Sequence, residues 1–133
     1  MKRFQRFESL IRNMANPLNK MLKETLEKSQ DMLAISIVSR DGLIIANALE
    51  NGYNEELLAG MAAQMTMLGD RVVKELFNRK PDKFILESGP YVVILIEAGQ
   101  EALVMSITLK RSFGISLMII ERMAKKVEEF FDG

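Results

Sequence analysis

The sequence contains neither cysteine nor histidine. Without thiols there is no disulfide framework, no thiolate metal site and no cysteine nucleophile. Without imidazole the chain lacks the side chain best suited to proton transfer near neutral pH, and a Ser-His-Asp triad is excluded. No Gly-x-x-x-x-Gly-Lys-Ser/Thr loop and no Gly-x-Gly-x-x-Gly motif is present either. We therefore expect no enzymatic activity, and no catalytic residue, metal or cofactor.

A charge excess and long hydrophobic runs are missing too. The 18 basic and 18 acidic residues cancel, whereas nucleic-acid binders normally show a clear basic excess. No apolar stretch approaches the roughly 20 residues that span a bilayer, and residues 1–14 lack the continuous hydrophobic run of a signal peptide. These absences predict a cytoplasmic protein with no nucleic-acid partner. The length of 133 residues fits one domain.

Apolar residues near the N-terminus recur at helical spacing, on either side of a break. The first group is Phe4, Phe7, Leu10, Ile11 and Met14. Pro17 then disfavours helical geometry at Asn16 but can start a new helix, whose pattern runs to about Ser29. Two helices or one kinked helix both fit. We treat residues 1–16 as an N-terminal helical extension and residues 17–133 as the domain.

The remaining patterns predict the order α-β-β-α-β-β-β-α. Asp41-Gly42 favours a tight hairpin turn, and Asn54 is a plausible N-cap for a helix that reaches about Phe77. The predicted strands are 33–38, 43–46, 83–87, 91–96 and 102–109, and a last helix follows Gly114. Short connections make the later strands antiparallel neighbours, and their apolar residues point to both faces. We therefore predict an α/β fold in which one five-stranded sheet lies between helices.

The middle helix carries an unusually wide apolar face. At about 100° per residue, its apolar positions sweep roughly 160°, whereas a helix that sits on one surface needs a stripe of about 100°. The whole arc could pack inside one monomer. We favour the alternative, in which one edge lies on the sheet and the other meets the same helix of a second subunit.

Two further surfaces are candidates for contacts with other molecules. Met67 falls on the outward side of the middle helix, where methionine suits adaptable binding, although scattered exposed apolar residues are normal. Its neighbours there complete a possible partner surface: Gln64, Arg71 and Lys74. Residues 1–15 combine basic and aromatic side chains that could lie on an anionic membrane. For those residues we favour packing on the domain itself.

Several segments resemble the Roadblock family over about residues 18–131. The segments are Ile35–Ala46, the alanine- and methionine-rich helix Leu57–Leu76, the strand Tyr91–Ile96, and Phe113-Gly114-Ile115 leading into a charged helix. The resemblance implies a five-stranded antiparallel sheet with the middle helix on one face and the terminal helices on the other. It also implies regulation or scaffolding of small Ras-like GTPases. A longin-like membrane-traffic adaptor is a competing resemblance, and a small-molecule sensor ranks lower because no polar cluster converges on a pocket.

Family homodimers typically pair through the middle helix and the neighbouring third strand. Carried onto this sequence, the resemblance implies a dimer interface of Leu58, Met61, Ala62, Met65, Gly69, Val73, Phe84, Ile85 and Leu86. Some members stimulate GTP hydrolysis by remodelling the GTPase without donating an arginine, so Arg71 is not assigned as an arginine finger. The expected partners are thus a second copy of the chain and a small Ras-like GTPase.

Overall fold

The computed structural model describes residues 17–50 and 52–132 and confirms the predicted order of elements. Its elements are α1 (17–28), β1 (Met32–Ser39), β2 (Ile44–Leu49), α2 (Glu55–Phe77), β3 (Phe84–Ser88), β4 (Tyr91–Ala98), β5 (Ala102–Leu109), a 3₁₀ turn (Lys110–Ser112) and α3 (Phe113–Asp132). The predicted N-terminal extension, residues 1–16, lies outside the described residues. Within the described ranges no helix is long and apolar enough to cross a membrane.

All five strands form one antiparallel sheet in the order β2-β1-β5-β4-β3. Tight turns join β1 to β2 and β4 to β5, where Gly42 (φ 88°) and Gly99 (φ 70°) adopt a backbone conformation that favours glycine. Helix α2 connects β2 to β3 across the sheet, and β1 pairs with β5 in its interior. Consequently β2 and β3 are its two edges.

The helices cover both faces of the sheet, as the sequence predicts. One buried cluster joins α1 and α3 to the sheet through Leu18, Leu22, Ile120, Met123 and Val127. A smaller cluster lies under α2, where Ala59 and Ala62 contact Val38, Leu95 and Leu103. Because α2 has alanines at the centre of this contact, the helix lies close to the strands, and Leu58 and Met65 pack against the cluster from α2.

Both ends of α2 are fixed by hydrogen bonds. The Asn54 side-chain oxygen accepts from the Leu57 N–H at 3.0 Å, which confirms the predicted N-cap. At the other end Asn78 adopts the left-handed conformation (φ 52°), and its N–H donates to the Lys74 carbonyl at 2.9 Å. The 23 residues between these caps form a helix about 35 Å long, which fixes the direction of every side chain along it.

Candidate functional site

One side of α2 carries large apolar side chains that the described residues, 17–50 and 52–132, leave exposed. We call this set the α2 stripe, and it consists of Leu57, Met61, Leu68, Val72 and Leu76. Each is between 41% and 67% exposed, whereas the buried residues of the helix, Ala59, Ala62 and Thr66, point the opposite way. A continuous exposed apolar row is typical of a protein–protein contact.

The burial of α2 is concentrated in its N-terminal half. Its last buried residue is Thr66, and residues 74–77 are all exposed. Leu76 and Phe77 are 67% and 66% exposed at the C-terminal end. Two large apolar side chains at the end of a capped, regular helix are costly to leave in water. This end of α2 is therefore suited to packing on another subunit.

The two edges of the sheet differ in how they are protected. At the β2 edge the Asn47 N–H donates to the side chain of Asn19 at 3.0 Å, and the Asn47 side chain donates to Glu55 at 3.0 Å. Strand β3 is the other edge of the sheet, and its side chains Ile85 (40%) and Leu86 (50%) are exposed. An open edge with apolar side chains is a ready site for pairing with another strand. Pairing is thus favoured at β3 rather than at β2.

Helix α2 and strand β3 are joined by a close contact. A β-carbon at Gly69 would lie 1.9 Å from Cε1 of Phe84, so the aromatic ring occupies the space that any larger residue at this position would need. Leu86 and Tyr91 lie on the same face of the sheet as Phe84, given the pairing of β3 with β4. The α2 stripe and the β3 edge therefore belong to the same side of the molecule.

A family model described as the Roadblock/LC7 domain matches residues 18–107, which is more than half of the chain. The chain belongs to the Roadblock/LC7 family. Members of this family are generally regulators or adaptors.

Relatives and solved structures agree with this assignment. An uncharacterized protein of Methanocaldococcus jannaschii, MJ1340, is 25% identical over 80% of this chain and 93% of its own length. The structure of Myxococcus xanthus MglB aligns with a TM-score of 0.78 at 15% identity, covering 86% of each chain. A structure described as MglB with tetrameric arrangement aligns with a TM-score of 0.75 at 17% identity, covering 84% of this chain and 85% of that one. At such identities the structural matches show a shared fold.

The structure divides the sequence-predicted interface of this Roadblock/LC7 domain into two groups. Met61, Ile85 and Leu86 are exposed and available to a partner. The others lie lower on the helix or strand: Ala62 is 1% exposed in the core, and Leu58, Met65, Gly69, Val73 and Phe84 are partly buried, with Leu58, Met65 and Phe84 packed against the cluster under α2. The exposed apolar surface of α2 therefore lies to one side of the predicted residues.

Four exposed residues of the α2 stripe lie outside the interface that the sequence predicts: Leu57, Leu68, Val72 and Leu76. A signal for them was present, since Leu57 and Leu68 mark the edge of the apolar arc farthest from Ala62. Carrying family positions across favoured the centre of the arc, which is the part that this Roadblock/LC7 domain uses for its own core.

The predicted partner surface is exposed as a second row on the same helix. Gln64, Met67, Arg71 and Lys74 all lie at the surface, and Met67 is 64% exposed. Adjacent helical residues differ by about 100° in direction, so Met67 and Leu68 open onto different sides of α2. The Roadblock/LC7 domain thus presents one apolar row and one mixed polar row on a single helix.

Arg40 ties α2 to the turns at one end of the sheet. Its guanidinium donates to Glu97 Oε1 at 3.0 Å, to the Gly99 carbonyl at 3.0 Å and to the Gln100 carbonyl. It also lies 3.6 Å from the Asp70 carboxylate on α2. One side chain thereby connects the β1–β2 turn, the β4–β5 turn and the middle of α2, and it fixes how the two exposed rows sit over the sheet.

The pKa values of two aspartates, Asp70 and Asp31, are shifted in opposite directions by their surroundings. Burial, followed by a hydrogen bond and charge repulsion from Glu97, raises the pKa of Asp70 above the ordinary 3.8, although Arg40 and Lys80 act against the shift. Hydrogen bonds from Arg111 and then Ser112 lower the pKa of Asp31 below 3.8. Asp31 links the loop before β1 to the start of α3, so the two groups report on different parts of the fold.

These shifts predict opposite pH dependences for two asparagine variants. A raised folded-state pKa destabilises the ionised form, so wild type should gain stability relative to Asp70→Asn as the pH falls through that pKa towards 3.8. A lowered pKa stabilises the ionised form. Wild type should therefore be more stable than Asp31→Asn above pH 3.8, and should lose this advantage as the pH falls through the folded-state pKa. Urea unfolding between pH 3 and 7 measures both, and parallel curves for the two variants would contradict the assignment.

Proposed function

We propose that this protein is a non-enzymatic homodimeric adaptor that binds a small Ras-like GTPase in the cytoplasm and scaffolds or modulates its nucleotide cycle. The proposed domain comprises residues 17–133, with residues 1–16 as an additional N-terminal segment. The observation that carries the proposal is the α2 stripe, an exposed apolar row on the same side of the molecule as an open strand edge.

The dimer half of the proposal follows from covering this surface with a second copy. A twofold axis beside α2 and β3 places the α2 stripes against each other and joins the two sheets edge to edge. Leu76 of each helix then loses its exposure to water, as do Ile85 and Leu86 at the strand edge. An MglB structure described as tetrameric is consistent with oligomerisation in proteins of this fold.

The GTPase half is supported by the resemblance to the Roadblock family and by the MglB fold match. On this chain Met67 and Lys74 open onto a side of α2 away from the α2 stripe, and Gln64 and Arg71 lie at its border. These four residues form an exposed row. Its basic and amide groups can pair with acidic or polar groups of a GTPase, and Met67 offers an adaptable apolar contact. We assign this row as the GTPase-binding surface.

Nucleotide-dependent binding tests the GTPase half. The purified protein is titrated by calorimetry against small Ras-like GTPases of the same organism, each loaded with GDP or with a non-hydrolysable GTP analogue. One GTPase should bind with a clear preference for one nucleotide state. Met67→Glu and Arg71→Glu should each weaken that complex about tenfold, the usual effect of losing a contributing contact of about 1.4 kcal/mol. Glu121→Lys on α3 is an exposed control that should bind normally.

Two results would count against the proposal. Binding to none of the GTPases in either nucleotide state would remove the adaptor role. Equal weakening by Glu121→Lys and by the variants on α2 would instead show that the assigned surface is wrong, while leaving a GTPase partner in place.

A further inference from the structure

The open strand β3 has a sequence that complements itself. Lys83 precedes the strand and Glu87 lies near its end, with Phe84, Ile85 and Leu86 between them. We infer that β3 pairs with β3 of an identical copy in a single register centred on Ile85, with Lys83 of each chain opposite Glu87 of the other. The inference rests on the proposed dimer and specifies how its two strands meet.

Symmetry limits the registers that a homodimer can use. Both α2 helices lie on one face of a joined sheet only if the twofold axis is perpendicular to that sheet. Residues directly opposite in an antiparallel pair point to the same face, and neighbours along a strand point to opposite faces. An odd-numbered residue must therefore lie opposite an odd-numbered one, and an even-numbered residue opposite an even-numbered one. It follows that one residue lies on the axis, opposite its own copy. The candidates for that residue are those at positions 84 to 87.

The chemistry of the strand distinguishes these four registers. An axis at Glu87 places like charges together, and an axis at Phe84 sets the ammonium of Lys83 against Ile85. An axis at Leu86 places Ile85 opposite Glu87. Only the axis at Ile85 matches every position, with Ile85 facing itself, Phe84 facing Leu86, and Lys83 facing Glu87.

The position of Glu87 is consistent with this register. Its carboxylate already approaches Lys110 through Oε2, at 3.4 Å from Nζ, on the face of the sheet that carries α3. This ion pair keeps the carboxylate on the face to which Lys83 also points by strand alternation. Both side chains of the pair are more than half exposed, so a second cation can reach Glu87 from beside the strand.

The same pattern selects an identical copy over a related chain. Each ion pair occurs twice in the dimer, once on either side of the axis, and both need Lys83 and Glu87 on one strand. A strand that lacks either charge leaves one of the two positions unmatched. The partner that fits this edge is therefore a second copy of this chain.

Single-cysteine variants test the register, because the natural chain contains no cysteine. In the proposed register Ile85→Cys brings two thiols within disulfide reach across the axis. Leu86→Cys leaves its two copies about 8 Å apart, beyond the roughly 7 Å limit for a disulfide. Under mild oxidation, non-reducing gels should show a covalent dimer for Ile85→Cys, and at most a minor one for Leu86→Cys and for wild type. Preferential cross-linking at position 86 would overturn the register.

Mixing charge variants tests the ion pairs separately. Lys83→Glu alone and Glu87→Lys alone each place like charges opposite in their own homodimer, whereas the mixed dimer restores opposite charges at both positions. Random pairing gives twice as much mixed dimer as either homodimer. We expect the ratio of mixed dimer to either homodimer to exceed this value severalfold, as measured by native mass spectrometry of equimolar mixtures. Any repulsion between Lys110 and the lysine introduced at position 87 cancels, because two mixed dimers contain as many of these contacts as one dimer of each variant. A statistical mixture would refute the proposed ion pairs.

The outcomes separate this inference from the proposal on which it rests. If wild type sediments as a monomer at all concentrations, the proposed dimer fails and the register with it. If wild type is dimeric but the cross-link lies at position 86 or the mixture is statistical, the dimer stands and the register is wrong.

Discussion

Replacing Leu68 by glutamate should convert the protein from a dimer into a monomer. Leu68 is 62% exposed in the single chain and lies within the α2 stripe, so the proposed dimer buries it. The substitution places a carboxylate without a counter-charge in an apolar contact, and symmetry places it there twice. We expect a loss of at least about 3 kcal/mol, or on the order of 100-fold in the dissociation constant. Sedimentation velocity across a concentration series measures the change.

The adjacent residue provides a matched control. Met67 is 64% exposed, is similar in size and lies on the same helix, but it opens onto another side. Met67→Glu changes charge and helix propensity to the same extent as Leu68→Glu. It should leave the dimer intact while weakening GTPase binding.

The pair of variants also tests whether the dimer contact and the GTPase contact lie on different sides of α2. Equal dissociation by Met67→Glu and Leu68→Glu would mean that the helix is surrounded by the partner, and the assignment of two separate surfaces would fail. An unchanged dissociation constant for the Leu68→Glu dimer would contradict the interface altogether. Both variants should remain folded, because both positions are exposed in the single chain. Circular dichroism checks that unfolding is not the cause of any dissociation.

The elements of this fold could be predicted from local patterns, but the limits of four of the five strands could not. Ala102–Leu109 was predicted to the residue, because a continuous apolar run between turn residues identifies a strand that helices cover on both faces. The second strand was predicted as 43–46, but it runs to Leu49. Asparagine is depleted in β-strands. The place of Asn47 in β2 depends on hydrogen bonds that it donates to Asn19 of α1 and Glu55 of α2.

The candidate surface was predicted in kind but not residue by residue. Periodicity showed that the apolar arc of α2 was too wide for one contact, and the exposed α2 stripe agrees with that reading. Periodicity alone could not show which edge of the arc faces the sheet. That choice depends on the alanines Ala59 and Ala62, which allow close approach to β1 and β5, and on Phe84, which fills the space over Gly69. Such packing depends on residues distant in sequence.

The two surfaces of α2 share one rigid support, which links dimerisation to partner binding. Arg40, Asp70 and Glu97 join the middle of the helix to two turns of the sheet. A change that shifts α2 over the sheet therefore moves the α2 stripe and the proposed GTPase-binding row together. Variants beneath the helix should affect both activities, whereas variants on its surface should affect one.

Gly69→Ala tests this from beneath the helix and should have a large effect on stability. The added methyl group would lie 1.9 Å from the Phe84 ring, so the ring must leave its place between α2 and β3. Overpacking of this kind costs about 1–3 kcal/mol, against a gain in helix propensity of up to about 1 kcal/mol. We expect a net loss in the free energy of unfolding by urea denaturation, together with weaker dimerisation because Phe84 adjoins the β3 edge.

Gly60→Ala is the matched control on the same helix. A β-carbon there meets nothing within 4 Å, so the substitution should stabilise the chain by up to about 1 kcal/mol through helix propensity alone. If the clash with Phe84 causes the loss at position 69, Gly69→Ala should become stabilising in a Phe84→Ala background. If Gly69→Ala instead lowers the free energy of unfolding by the same amount in that background, the glycine is required for another reason. The contact between α2 and β3 would then not depend on the absence of a side chain at position 69.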